Sequence, residues 1–120
     1  MAQHNDLGVW GEQLAKDYLQ NKGYSILQSN FRYKQFELDI IAQIGNDLVV
    51  VEVKTRQNDY LADPALMVSK SKQKGIIQAA NAYIIEHDLD LECRFDVITI
   101  VANKNNYTLE HIEEAFYPTI

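Results

Sequence analysis

The chain is poor in the residues that mark several classes of protein. Its one cysteine, Cys93, can form no internal disulfide, and its two prolines, Pro64 and Pro118, lie outside the strongest periodic runs. No stretch reaches the roughly 18 apolar residues of a membrane-spanning helix. The start, Met1-Ala-Gln-His-Asn-Asp6, has neither a basic region nor an apolar run, so no leader is expected. No repeat, low-complexity tract or linker is visible. These absences exclude a disulfide scaffold, collagen and a helical membrane anchor, and make a soluble protein of a reducing cytoplasm the expectation.

The 120 residues are 47% hydrophobic and 23% charged, an ordinary globular balance. That length suits one domain over residues 1–120, burying roughly 65% of its extended-chain surface without a metal or disulfide staple. A formal charge of −6 disfavours a nucleic-acid partner at first sight. The average conceals an uneven distribution. Residues 1–85 carry nine basic and nine acidic side chains, whereas residues 86–120 set eight acidic ones against only Arg94 and Lys104. Between Lys54 and Lys74 five basic residues meet only Asp59 and Asp63, a local +3 compatible with phosphate contact and also with a solvated basic face.

Leu7, Gly11, Leu14, Ala15, Tyr18 and Leu19 follow the spacing of an amphipathic helix, and Asn21-Lys22-Gly23 supplies its stop, so a helix is expected over residues 6–22. Tyr24 to Tyr33, Glu37 to Ile44 and Leu48 to Thr55 read as strands. Asp59 to Ser71 reads as a loop with a short turn after Asp63-Pro64. A second helix runs from Ser71 to near His87, carried by Ile76, Ile77, Ala79, Ala80, Tyr83 and Ile84. Phe95 to Val101 is a fourth strand, Asn103 to Asn106 a turn, and Leu109 to Phe116 a short closing helix. The order αβββαβ(α) implies an α/β fold, a mixed sheet flanked by helices, with the helix between strands three and four making a crossover.

The informative segment is Phe36 to Lys54. A hairpin turning at Gly45-Asn46 pairs residues whose numbers sum to 91, so Asp39 faces Glu52 and Glu37 faces Lys54. Alternation then puts Leu38, Ile40, Ala42, Ile44, Val49, Val51 and Val53 on one apolar face. Glu37, Asp39, Glu52 and Lys54 share the other with Ile41 and Val50. Directly opposed like charges are destabilising, so two carboxylates roughly 5 Å apart need a reason. A divalent cation supplies one, because Mg²⁺ is commonly held by one or two carboxylates with water and substrate phosphate. Lys54, two residues along, then stands where it orients a water or offsets charge in phosphodiester hydrolysis. The alternative is an edge hairpin whose outer face is simply polar, with a Glu37–Lys54 pair.

Asp39 followed by Glu52-Val-Lys54, after a helix bearing Glu12, resembles the restriction-endonuclease-like nucleases with their (P)D…(D/E)xK motif. More closely, Gly8-x-x-Gly11-Glu12-x-x-Ala15, Gly23-Tyr24-x-Ile26-Leu27-x-x-Asn30-Phe-Arg32, Glu37-Leu-Asp39-Ile-Ile-Ala42, Val51-Glu-Val-Lys54-x-Arg56, the run from Lys72 through Ala79-Ala80 to Tyr83, and Arg94-Phe-Asp96-Val resemble the YraN family, also called UPF0102. The resemblance covers nearly the whole chain. It implies a restriction-endonuclease-like fold similar to archaeal Holliday-junction resolvases, nucleic acid (DNA foremost, branched or structured) as ligand, and Mg²⁺ or Mn²⁺ as cofactor. It further implies Asp39, Glu52 and Glu12 at the metal, Lys54 as the catalytic lysine, and a symmetric homodimer, since two strands must be cut at related positions. Two positions depart from the pattern. Leu38 stands where many nucleases have proline, and Phe36 where the family usually has glycine, which bears on the local bend and not on the ligands.

Lys72 matches the family's lysine and is a candidate phosphate contact, as are Arg56, whose guanidinium can grip phosphate bidentately, and Gln73. Asp96 reads as a local salt bridge or strand-end cap. His4, His87 and His111 have no mutual metal spacing and read as surface or cap residues. Cys93 reads as inert, and Tyr18, Tyr24, Phe31, Tyr33 and Phe36 as core positions. A non-catalytic nucleic-acid-binding or scaffolding module of the same fold remains open, as does an adaptor using the acidic tail half. A separate targeting protein would suit the acidic net charge.

Overall fold

The computed structural model describes residues 3–57 and 68–118, with side chains from Asp6 onward. Helix α1 spans Gln3–Asn21. Gly11, Ala15 and Leu19, four apart, form its buried stripe. It ends as a glycine-terminated helix should: Gly23 adopts φ +97° and the Tyr24 N–H reaches back to the Leu19 carbonyl at 3.0 Å, closing the last turn.

Strands β1 (Ser25–Tyr33), β2 (Phe36–Ile44) and β3 (Asp47–Gln57) form an antiparallel meander, α2 (Lys70–Glu86) crosses over, and β4 (Glu92–Asn103) and β5 (Asn106–Phe116) complete a five-stranded sheet in the order β1-β2-β3-β4-β5. The sheet is mixed: β3 and β4 run parallel and the other neighbours antiparallel. One face packs under α1 around Ala15, Leu19, Ile40, Val49, Val51, Ile98 and Ile100. The other packs under α2 around Ile41, Leu48, Val50, Ile76, Ala79, Tyr83 and Val97. With both faces covered, the polar outer face of an exposed edge hairpin is ruled out as the setting of the Asp39 and Glu52 carboxylates. The β2–β3 register has the expected sum, from Ile44↔Asp47 through Ile40↔Val51, with Gly45 at φ +57°.

Three expectations fail. The segment from Leu109 to Phe116 is a strand. Leu109 pairs with Ile100 and Ile112 with Val97, residues of opposite core clusters, so the spacing that reads as a helix face is divided between two sheet faces. A bulge between Phe95 and Val97, with Glu114 at φ +51°, then brings Phe116 opposite Phe95. Leu38 does not share a face with Ile40: it packs in the cluster under α2, and Ile40 in the one under α1. Glu37 finds its ion partner on β1, Arg32 at 4.0 Å, in place of Lys54. The turn expected after Asp63-Pro64 lies outside the described residues.

Candidate functional site

The ladder between β2 and β3 stops at Ile40↔Val51, and the candidate site lies just beyond that point. There the Asp39 carboxylate enters the plane of the sheet, its Oδ2 accepting the Val53 N–H at 2.9 Å. Glu52 answers from β3, its Oε2 lying 3.5 Å from the Asp39 N–H. Two acidic side chains therefore satisfy main-chain donors where the strands part, and they are brought together as the extrapolated register requires. Glu52 is 2% exposed. Burial first, and then the Asp39 charge, push its carboxyl up to about 7. Burial likewise raises Asp39, against the pull of the Val53 N–H and of Lys72 and Lys54.

Two lysines face this pair. Lys54, half-buried on β3, is lowered by burial and by its hydrogen-bonded neighbour Lys72. The Lys72 ammonium stands 3.5 Å from Glu52 Oε1. Burial works to lower Lys72, but the hydrogen bond with Lys54 and the Glu52 and Asp39 carboxylates outweigh it and hold Lys72 up. Lys72 belongs to the first turn of α2, which Ser69 caps by accepting the Lys72 N–H at 3.1 Å. That turn contains no acidic residue, although acids are favoured at the positive end of the helix dipole. Gly75 fixes the helix close to the sheet, since a side chain there would collide with the Phe36 ring. The cleft enclosed is about 410 Å³, lined by Gln35, Phe36, Glu37, Asp39, Glu52, Ser69, Ser71, Lys72 and Ile76.

Glu12 approaches from α1. Burial and then the Asp39 charge raise its carboxyl, and Asn30 donates to it at 3.4 Å. Gly11 allows this approach, because the Thr55 side chain fills the space a β-carbon would need. Asn30, at φ +53°, occupies the β1 position across from Asp39, between the pairs Phe31↔Leu38 and Ser29↔Ile40. Among the described residues no three His, Cys, Asp or Glu side chains lie close enough to make a metal cluster. The carboxylates that meet at the centre are Asp39 and Glu52, and the Asp39 charge is felt at Glu12.

The remaining candidates are dispersed. Arg56 is exposed near the end of β3. Gln73 turns its amide inward, donating to the Val68 carbonyl at 2.9 Å and so bracing the start of α2. Asp96 is the salt bridge expected, receiving Arg94 Nε at 3.0 Å and Nη2 at 2.9 Å. His111 is no surface residue: its Nε2 lies 2.7 Å from Asp96 Oδ2, its Nδ1 3.1 Å from the Tyr18 hydroxyl, and its side chain is 5% exposed. His87 caps α2, the side chain of His4 lies outside the described residues, and burial raises the Cys93 thiol to about 11. Ser69, Ser71 and Asn30 were missed by motif spacing alone. A serine before a lysine-rich helix start is the available signal for the first two, and the family block Asn30-Phe-Arg32 for the third.

Among the described residues these features define an α/β protein with a five-stranded mixed sheet, two helices and a charged cleft at the β2–β3 opening. The sequence profile described as "Uncharacterised protein family UPF0102" matches residues 11–100. A UPF0102 protein of Flavobacterium psychrophilum is 48% identical over 117 residues, 98% of each chain. One of Phocaeicola vulgatus is 48% identical over 120 residues, 100% of this chain and 99% of the relative, and one of Christiangramia forsetii 45% over 117 residues, 98% of each. The chain belongs to the UPF0102 family. Among the described residues no helix is long and apolar enough to cross a membrane.

Proposed function

We propose that the chain is a metal-dependent endonuclease-like protein that hydrolyses phosphodiesters in DNA, branched or otherwise structured DNA foremost. The observation that carries this reading is the meeting of half-buried Asp39 and buried Glu52 where β2 and β3 part, two carboxylates whose charges are disfavoured by burial and by each other. Such a pair is a hard-oxygen site for a divalent cation. Bound there, Mg²⁺ or Mn²⁺ would supply Lewis-acid polarisation of the phosphodiester and a more acidic water.

The residues of the chain do the rest. Asp39 and Glu52 hold the cation. Lys54, its amine pushed toward the neutral form by burial and by Lys72, orients the attacking water or offsets charge on the phosphoryl oxygens. Lys72 and the α2 N-terminus, with Ser69 and Ser71 on the cleft wall, receive phosphate. Arg56 extends the basic track along β3, and Glu12 tunes Asp39 from α1.

A second reading rests on one distance. The Lys72 ammonium 3.5 Å from Glu52 already provides an internal cation, as a nucleic-acid-binding module without catalysis would need. Labelled four-way junction, flap, single-stranded and duplex DNA at low salt with Mg²⁺, Mn²⁺ or EDTA separates the two. The nuclease reading expects metal-dependent products that Glu52→Gln abolishes. Retarded junction with no product under any metal would transfer the conclusion to the binding module, and neither binding nor product would remove nucleic acid altogether.

A further inference from the structure

The Lys72 ammonium stands 3.5 Å from Glu52 Oε1, and the two ends of this ion pair are held differently. Glu52 projects from the middle of β3 with its side chain 2% exposed, and its second oxygen lies 3.5 Å from the Asp39 N–H. Lys72 belongs to another element. Its side chain is 44% exposed and reaches the carboxylate on a flexible four-carbon stem from the first turn of α2. Lys54, by contrast, is half-buried on the same strand as Glu52. Of the two ammoniums that face the carboxylates, Lys72 is the one with room to leave.

Two demands fall on that ammonium. A buried carboxylate without a counterion is costly, and Lys72 supplies one to Glu52. A phosphate arriving at the cleft wall meets Lys72 as well, beside Ser69, Ser71 and the α2 N-terminus. The first turn of α2 contains no acidic side chain, so nothing on that turn holds the ammonium back. A divalent cation and an ammonium drawn to the same carboxylate repel each other, more strongly in a partly dry cleft than in water. Lys72 therefore yields Glu52 to a divalent cation, and the cleft wall where phosphate arrives lies within its reach.

We propose that Lys72 is an exchangeable counterion, held on Glu52 until a divalent cation displaces it and then turned to a phosphate of the bound nucleic acid. This rests on the metal-dependent reading above. The exchange makes the two ligands cooperative. Phosphate that draws Lys72 away opens Glu52 to the cation, and loss of Lys72 from Glu52 to the cation gives the phosphate an ammonium it lacked. The factor by which each ligand strengthens the other is the same in both directions. The cleft thus holds its cation weakly until nucleic acid arrives.

Calorimetric titration of the full chain with Mn²⁺ at neutral pH, without nucleic acid, tests the exchange apart from cleavage. Lys72→Met should bind Mn²⁺ about tenfold more tightly than wild type, within the span usual for coupled sites. Lys72→Gln, which can still donate to Glu52, guards against a folding defect and should tighten binding likewise, whereas Lys72→Arg keeps the charge and should match wild type. Lys74→Met removes an exposed charge two residues along and leaves the ion pair, so it too should match wild type. Equal or weaker binding in Lys72→Met, or an equal gain in Lys74→Met, overturns the exchange while leaving the metal site standing. Anisotropy of labelled junction DNA, its strands verified intact, reads the reciprocal effect. Ca²⁺, which takes the same oxygen ligands, should strengthen DNA binding over EDTA more in wild type than in Lys72→Met, and the same gain in both also overturns the exchange. Mn²⁺ binding that is absent from wild type and Lys72→Met alike, or unchanged in Asp39→Asn, defeats the metal-dependent reading and the exchange with it.

Discussion

Asp39 does for Val53 what a main-chain carbonyl would ordinarily do, its Oδ2 accepting the Val53 N–H at 2.9 Å where the β2–β3 ladder has ended. The sheet can open between these strands because side chains replace the missing ladder bond, and the opening is what exposes the paired carboxylates to the cleft.

Substitutions at Asp39 divide accordingly. Asp39→Ala strands the Val53 N–H, whereas Asp39→Asn removes the charge but keeps an acceptor oxygen. Urea unfolding at pH 7 should place Asp39→Ala below Asp39→Asn by about 1–2 kcal/mol. Equal stabilities would mean that the bond contributes nothing.

Glu52 makes stability depend on pH. Its folded value of about 7 exceeds the ordinary 4.5, so the folded state binds more protons than the unfolded one over that interval. Stability therefore falls as pH rises from about 4.5 to 7, and the cost is complete above. Glu52→Gln should be more stable than wild type at pH 8, by on the order of 1–3 kcal/mol, with the difference fading below pH 4.5. Parallel urea titrations at the two pH values measure it; an equal difference at both would contradict the assignment.

Asp96 has the opposite sign. Burial works to raise it, but His111, Arg94 and the Glu114 N–H prevail and hold its carboxyl below the ordinary 3.8. Its contribution is present above about pH 4 and is lost as the solution is acidified through its lowered folded value. Asp96→Asn leaves Arg94 without its buried carboxylate and should cost about 3 kcal/mol at pH 7. Chemical denaturation of this variant at pH 7 and at pH 3 tests both statements, the deficit shrinking at the lower value.

Phe36 and Gly75 are a matched pair. A glycine-to-alanine change inside a helix ordinarily gains up to about 1 kcal/mol, but here the new methyl meets the Phe36 ring. Gly75→Ala should destabilise by about 1–3 kcal/mol, and the loss should be largely relieved in Gly75→Ala with Phe36→Ala when referred to Phe36→Ala alone. Additive effects would show that helix and ring do not press on each other.

How much of this was legible in the sequence follows from where the signals were local. The β2–β3 register could be read because Gly45-Asn46 fixes the turn and alternation fixes the faces. The switch of Leu38 could not, since it follows from Asp39 leaving the ladder, a tertiary accommodation that no periodicity contains. Strand β5 was hidden because Leu109, Ile112 and Phe116 fit a helical spacing as well as a bulged strand, and only pairing with β4 decides. His111 read as a surface residue because its partners, Asp96 and Tyr18, are distant in sequence. The approach of Asp39, Glu52, Lys54 and Glu12 was legible from register and resemblance together; the pairing of Lys72 with Glu52 depends on how α2 lies across the sheet.

The most direct test of the central claim follows scission and binding of a labelled branched DNA in Mn²⁺ by wild type, Asp39→Asn and Lys54→Ala at equal protein concentration. The account predicts that both variants still bind, that scission falls at least about a hundredfold in each, in line with the loss of a charged group at a catalytic centre, and that EDTA abolishes what remains. Scission at the wild-type rate in Asp39→Asn would contradict it.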